Sequence, residues 1–325
     1  MMFRKSGRSQ PSRAKANAVK RARTVYYAPG SPMAPRGSQS PMMSLRWLLT
    51  AASFAVVLAM IGAYAVLCTM FWQNQWEMIF APSVKITATP ASVDMPFEAV
   101  SFSGGQAGPT GQSLTALTGW WVPAAPNTRY ADDTVLYLHG AKGSLSDTVP
   151  QLEMLHEIGV NVLAIDYHSF GASGGLHPTE QQADTDADAA WNYLVDTRHV
   201  AEARIVAYGA GAGASFATHL AVEHPLGGLI LADISPTAHD IFEQDPRARL
   251  LPLVLLAREK LDPAPALAKL RTPKLFLTLD AAEDGRQTLE DFHAAAEPKR
   301  YADLHHAPQS QTDAVLRSFL DETVR

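Results

Sequence analysis

A handful of residues in this chain are of the type and spacing that chemistry needs. Near the middle, Gly209-Ala210-Gly211-Ala212-Gly213 follows an apolar, β-rich run and opens a helical pattern. Small residues at these positions permit a very tight strand-to-helix turn. Such a turn either lifts a nucleophile above a sheet or brings backbone N–H groups close to an anion. A second string, Gly171-Ala172-Ser173-Gly174-Gly175, sets a serine between glycines. His139-Gly140 closes another apolar run, where a glycine turn aims N–H groups at an oxyanion. Farther on, Asp280 and Asp284 follow an apolar run, and His305-His306 precedes the last helical pattern. A hydroxyl, an imidazole and a carboxylate are the parts needed for acyl transfer through a covalent intermediate.

Other chemistries have thinner support. Gly209-x-Gly211-x-x-Ala214 satisfies the dinucleotide fingerprint, and Asp233 closes the next strand, so NAD(P) binding stands as a minor alternative. Its unit is not the first strand of the sheet, however, and no cofactor is expected. His305 and His306 are adjacent rather than one helical turn apart, no H-E-x-x-H string occurs, and Cys68 is the single cysteine. A metal centre and an intrachain disulfide are therefore not expected. The acidic run Glu180–Asp196 lacks the glycine and closing glutamate of a calcium loop. It reads as a solvated helix face with Ala190, Trp191 and Leu194 turned to the core.

The elements that must hold these residues alternate. VKITATP (84–90), AVSFSG (99–104) and ALTGWWVP (116–123) read as early antiparallel strands. TVLYLHG, VNVLAIDY, RIVAYG, GLILAD and KLFLTL follow, separated by helical patterns. Continuous apolar runs alternating with helices predict a mostly parallel sheet covered on both faces.

Four segments in this order and spacing, LHGAKG (138–143), DYHSFGASGG (166–175), RIVAYGAGAGASFATHLA (204–221) and the stretch 250–280, resemble the membrane-anchored α/β hydrolases of the bud-emergence type. The resemblance covers residues 75–325. It implies an α/β-hydrolase fold with an eight-stranded sheet and kinship with serine aminopeptidases and esterases. It also implies a G-x-S-x-G elbow whose serine is the nucleophile. Here that position is Gly211, so no acyl-enzyme can form on it. The resemblance further implies oxyanion donors at Ala141 and Ala212, motif positions at His139, Gly140, Gly209 and Gly213, and an acid and a histidine at Asp284 and His306. The acid's aligned position itself carries Ala282. Asp280 and His305 are possible substitutes for the latter pair. Ser215, one helical turn past Gly211, is the substitute nucleophile; Ser173 lacks the helix that should follow it at once.

Charge is distributed unevenly along the chain. Ten of its 27 Lys and Arg residues precede position 47, and all 32 Asp and Glu residues follow it, leaving about −15 beyond the tail. That argues against nucleic-acid binding by the later part. Residues 1–45 read as a disordered, basic, cytoplasmic tail. Residues 46–73 read as a transmembrane signal anchor: Trp47 to Trp72 carries no charge and is flanked by interfacial aromatics. A cleaved signal peptide would have a shorter apolar core, and Leu67 before Cys68 does not suit a lipoprotein site. Residues 74–325 form the hydrolase-like domain. The positive-inside rule places it outside the cytoplasm, on an inner membrane facing the periplasm if the cell has two membranes. The expected function is a membrane-tethered pseudo-hydrolase. It contacts the bilayer through residues 47–72 and binds a small-molecule, lipid or protein ligand. The alternative is an active esterase, thioesterase or peptidase using a non-standard nucleophile, or a water activated by His305 or His306.

Overall fold

The structure, a computed structural model, describes residues 44–104, 115–280 and 285–324. The tail up to residue 43, together with Ala282 and Asp284, lies outside the described residues. The chain divides into two compact units, Met1–Met60 and Ile61–Arg325. Helix α1 (Leu45–Asn74) begins in the first and ends in the second. None of its residues counts as buried, and among the described residues it is the one helix long and apolar enough to cross a membrane.

The second unit is built on an eight-stranded sheet. Its strands are β1 (Glu98–Gly104), β2 (Thr115–Val122), β3 (Thr134–Leu138), β4 (Asn161–Asp166), β5 (Ile205–Ala210), β6 (Gly228–Ala232), β7 (Lys274–Thr278) and β8 (Lys299–Asp303). The spatial order is β8-β7-β6-β5-β3-β4-β2-β1. β1 and β2 pair antiparallel, as do β2 and β4; every other pairing is parallel. The expected mixed, mainly parallel sheet is thus present.

Two-residue alternation sorts the central strands onto two faces. Val135, Tyr137, Val206, Tyr208, Leu275 and Leu277 point to one side. They pack there on Leu152 and Leu155 of α2 (Val149–Ile158) and on Leu316, Phe319 and Leu320 of the C-terminal helix (Gln309–Thr323). Leu136, Leu138, Ile205, Ala207 and Phe276 point to the other. Against them lie Ala183, Ala187 and Ala190 of α3 (Glu180–Asn192) and Phe216 and Leu220 of α4 (Gly213–Glu223). Burying one such aliphatic or aromatic side chain contributes about 1.5–3 kcal/mol, which is why these strands read as unbroken apolar runs.

One expected strand is absent. Residues 84–89 have no ladder, and Val84 and Ile86 are exposed. Only Ala81–Pro82 pairs, with Lys142–Gly143, and Thr87 N–H donates to the Ser146 hydroxyl instead of to a strand. Pro82 and Pro90 at its two ends remove donors, and only its end, at Ala88, packs against the core. At the other edge β8 has the sequence KRYAD. Its charged side chains suit a strand with one unpaired side.

Candidate active site

The parallel strands end in one row. Across β5, β6, β7 and β8 the register aligns Ala210, Ala232, Leu277 and Ala302, so the loops that follow open along one edge. Ligands of open α/β sheets bind at this carboxyl edge.

β5 ends at Ala210 and α4 begins at Gly213, leaving a two-residue elbow. Gly211 takes φ +58°, and its N–H donates to Ala232 O at 3.0 Å, pinning the turn to β6. The flanking glycines are required by close approach. A Cβ on Gly209 would stand 2.4 Å from Gly213 O, and one on Gly213 would stand 2.1 Å from Leu138 O. Gly211 differs: a Cβ there would meet nothing nearer than Ser235 Oγ at 3.2 Å and Gly140 Cα at 3.5 Å. The position where a nucleophile is expected therefore has room for a side chain but carries none.

The turn after β3 abuts this elbow. A Cβ on Gly140 would lie 3.5 Å from Ala210 O and 4.0 Å from Ala212 N. Ala212, Gly140 and the neighbouring Ala141 therefore share one small region. Ala141 O accepts from Ala81 N–H, which fixes the turn from its far side. His139 supports it from below. The imidazole is 2% exposed, its Nδ1 lies 2.8 Å from Gly140 O, and its ring packs on Tyr167 and Phe170. The Tyr167 hydroxyl donates to His139 O at 2.9 Å. His139 is thus a packing residue that shapes the backbone cradle.

The serines separate clearly. Ser173 is a buried strut: its hydroxyl contacts Asp166 O at 2.7 Å and accepts from Thr118 N–H at 2.9 Å. Ser215 lies in the first turn of α4, its N–H donating to Ala212 O. The hydroxyl beside the vacant position belongs to Ser235, in the loop after β6. Nothing local in the sequence marks Ser235. Only the pairing of Ala210 with Ala232 brings that loop over the elbow.

Asp280 and His305 each have a carboxylate partner of their own. Asp280 is exposed, and its N–H and that of Leu279 donate to Asp233 Oδ1 at 3.1 and 2.7 Å. Asp233 thereby ties the β6 and β7 loops together. Burial pushes its carboxyl up, opposed by those two N–H groups. Gly209 and Gly213 serve the close strand–helix approach at this elbow. Past β8, the carboxylate partner of His305 is Asp303: Nδ1 to Oδ1 is 2.5 Å. That hydrogen bond holds Asp303 below the usual carboxylate range. The rings of His305 and His306 lie 3.9 Å apart.

The acidic helix is a correction. Asp186 is fully buried, accepting from His168 N–H at 2.7 Å and contacting His168 Nδ1 at 2.5 Å. Asp188 bridges His219 and His224, at 3.2 and 2.9 Å. Asp184 is raised to about 7, chiefly by burial. Their partners lie on the β4 loop and on α4, at separations that the sequence spacing within α3 does not reveal. Ala190, Trp191 and Leu194 are buried as expected.

An eight-stranded mixed sheet in this strand order, with a glycine-lined elbow between its fifth strand and the next helix, is an α/β-hydrolase fold. The Pyrococcus furiosus esterase Pf2001 superposes with a TM-score of 0.55 at 19% identity, covering 76% of this chain and 98% of that one. An α/β hydrolase from Vibrio vulnificus gives 0.53 at 20% identity, covering 71% and 81%. The chain belongs to the family of the uncharacterized protein Rv2307c of Mycobacterium tuberculosis, with 30% identity over 286 residues, 82% of this chain and 95% of that protein. It is also similar to the human α/beta hydrolase domain-containing protein 17C, at 30% identity over 112 residues, 34% of this chain and 33% of that one. No family model matches the chain.

Proposed function

We propose that the protein is a membrane-tethered pseudo-hydrolase of the bud-emergence type. In this reading the α/β-hydrolase domain holds a ligand at the carboxyl edge of its sheet without forming an acyl-enzyme. The observation that carries the reading is Gly211: the elbow has the turn, the positive φ and the space for a nucleophilic side chain, and lacks the side chain. Backbone donors near Ala141 and Ala212 survive the loss, because they need no particular side chain. Such a cradle favours a carbonyl or carboxylate group, as found in acyl lipids and peptides. α1 is the tether, with the basic tail cytoplasmic and the domain on the opposite side of the membrane.

The test is to treat the full chain, purified in detergent, with a fluorophosphonate serine probe. No labelling is expected. A reporter that works only outside the cytoplasm, fused after Arg325, should give signal. One specific observation favours a second reading: Ser235 Oγ stands 3.2 Å from the place a Cβ on residue 211 would occupy. An active hydrolase with a displaced hydroxyl would be labelled, and Ser235→Ala, or Ser215→Ala for the residue one turn along α4, would abolish it. That result would overturn the pseudo-enzyme reading.

A further inference from the structure

Between β6 and β7 the chain makes an excursion whose middle reads Leu250-Leu251-Pro252-Leu253-Val254-Leu255-Leu256. A soluble domain would fold such a run inward. Here Leu250, Val254 and Leu255 are 79%, 90% and 82% exposed, the last two forming adjoining apolar surface. Val254 and Leu255 border an open groove with His239, Glu243 and Arg249 on its polar side. Exposed, contiguous aliphatic surface of this kind marks an interaction site.

The excursion is joined to the last part of α1 by several contacts, all within the unit that starts at Ile61. The Tyr64 hydroxyl donates to Leu250 O at 3.1 Å. Phe71 packs edge-on against the buried Phe242 at 5.1 Å. The Gln75 amide donates to Leu256 O at 3.2 Å and accepts from Arg258 N–H at 2.7 Å. The Arg258 guanidinium lies over the Trp72 ring at 5.0 Å.

These contacts fix a depth. Trp72 closes the uncharged run and, with Arg258 over it, has the amphipathic character of an interfacial anchor. Tyr64 is eight residues back along the helix, about 12 Å at 1.5 Å per residue. Leu250, bonded to Tyr64, therefore sits at or below the level where the helix enters the hydrocarbon. Arg247 and Arg249 precede the apolar run, Arg247 leaning on Asp245 at 3.8 Å. Cations beside an apolar loop suit the anionic headgroup layer.

We infer that the Leu250–Leu256 excursion inserts its exposed Leu250, Val254 and Leu255 into the bilayer beside the anchor, giving the domain a second, monotopic membrane contact. The inference rests on the membrane-tether reading. Its occupant is the lipid itself, since the excursion is hydrogen-bonded to a stretch of α1 whose Ile61, Tyr64, Val66, Leu67 and Met70 are exposed as well. Insertion would hold the carboxyl edge of the sheet, from which the excursion departs, near the membrane surface.

The experiment uses the full chain with Cys68 replaced by Ser, reconstituted in vesicles of phosphatidylcholine and phosphatidylglycerol. Single cysteines at Val254, Leu255, Phe54 and Val222 carry an environment-sensitive fluorophore. Quenchers are acyl-chain spin-labelled lipid and aqueous iodide. Labels at Val254 and Leu255 should be quenched by the lipid to within about twofold of the Phe54 label and shielded from iodide, while Val222 responds to iodide alone. Iodide quenching at Val254 and Leu255, with lipid quenching at Phe54, would overturn the inference and leave the tether standing. Shielding from both quenchers would also overturn it, pointing to a second copy on the surface. Iodide quenching at Phe54 would remove the tether and, with it, an insertion beside the anchor.

Discussion

Substituting the elbow glycines one at a time separates room from backbone need. At Gly211 the φ of +58° costs an L-residue about 1–2 kcal/mol, and an added Cβ meets the Ser235 hydroxyl at 3.2 Å and Gly140 Cα at 3.5 Å. Rotation of that hydroxyl relieves the contact. Gly211→Ser should therefore cost about 1–2 kcal/mol, or roughly 2–8 °C in apparent melting temperature for a domain of this size. At Gly213 an added Cβ would lie 2.1 Å from Leu138 O, at the end of the β3–β5 pairing, and 2.7 Å from His139 O, which accepts from the Tyr167 hydroxyl. Gly213→Ala should cost about 3 kcal/mol or more, because the strand itself has to shift. Melting curves of the full chain in detergent, followed by tryptophan fluorescence, measure both. Parallel exposure to a fluorophosphonate asks whether the new hydroxyl in Gly211→Ser is activated. Equal losses for the two variants would refute the reasoning, because they would mean that no space exists above the turn.

Other expectations follow from single contacts. Asp186→Ala would strand the half-buried His168 N–H and imidazole and should cost about 2–4 kcal/mol, read as a lowered melting temperature. Ser173→Ala removes the acceptor of Thr118 N–H and should cost about 1–3 kcal/mol, without altering probe labelling. Asp291 is pushed up to about 6, chiefly by burial. Its folded pKa exceeds the unfolded one, so its contribution is fully present below about pH 4 and is lost as pH rises through 6. Asp291→Asn should accordingly gain about 1–2 kcal/mol relative to the parent at pH 8 and nothing at pH 4, measured by denaturant unfolding at both values. Carbonate washing should leave the full chain in the membrane fraction, and its release would count against α1 as an anchor.

How much of this was legible in the sequence depended on whether the cause was local. Unbroken apolar runs such as TVLYL and KLFLT announced strands buried on both faces, because burial acts residue by residue along a strand. The spacing of Gly209, Gly211 and Gly213 announced a tight turn, because backbone sterics are local too. The charge-free run Trp47–Trp72 likewise declared an apolar helix by composition alone. VKITATP misled, because its alternation had no neighbouring strand to pair with, and pairing is not a local property. The acids of α3 misled for a related reason: His168, His219 and His224 reach them from other elements. Ser235 over Gly211 and Asp233 bridging two loops came from sheet register and loop course. Tyr64 against Leu250, 186 positions apart, came from docking of the excursion on the helix. The sequence determined which segments bury apolar surface and where the backbone turns sharply. Only the tertiary structure decided which side chains meet, because those meetings depend on register and packing between segments distant in the chain.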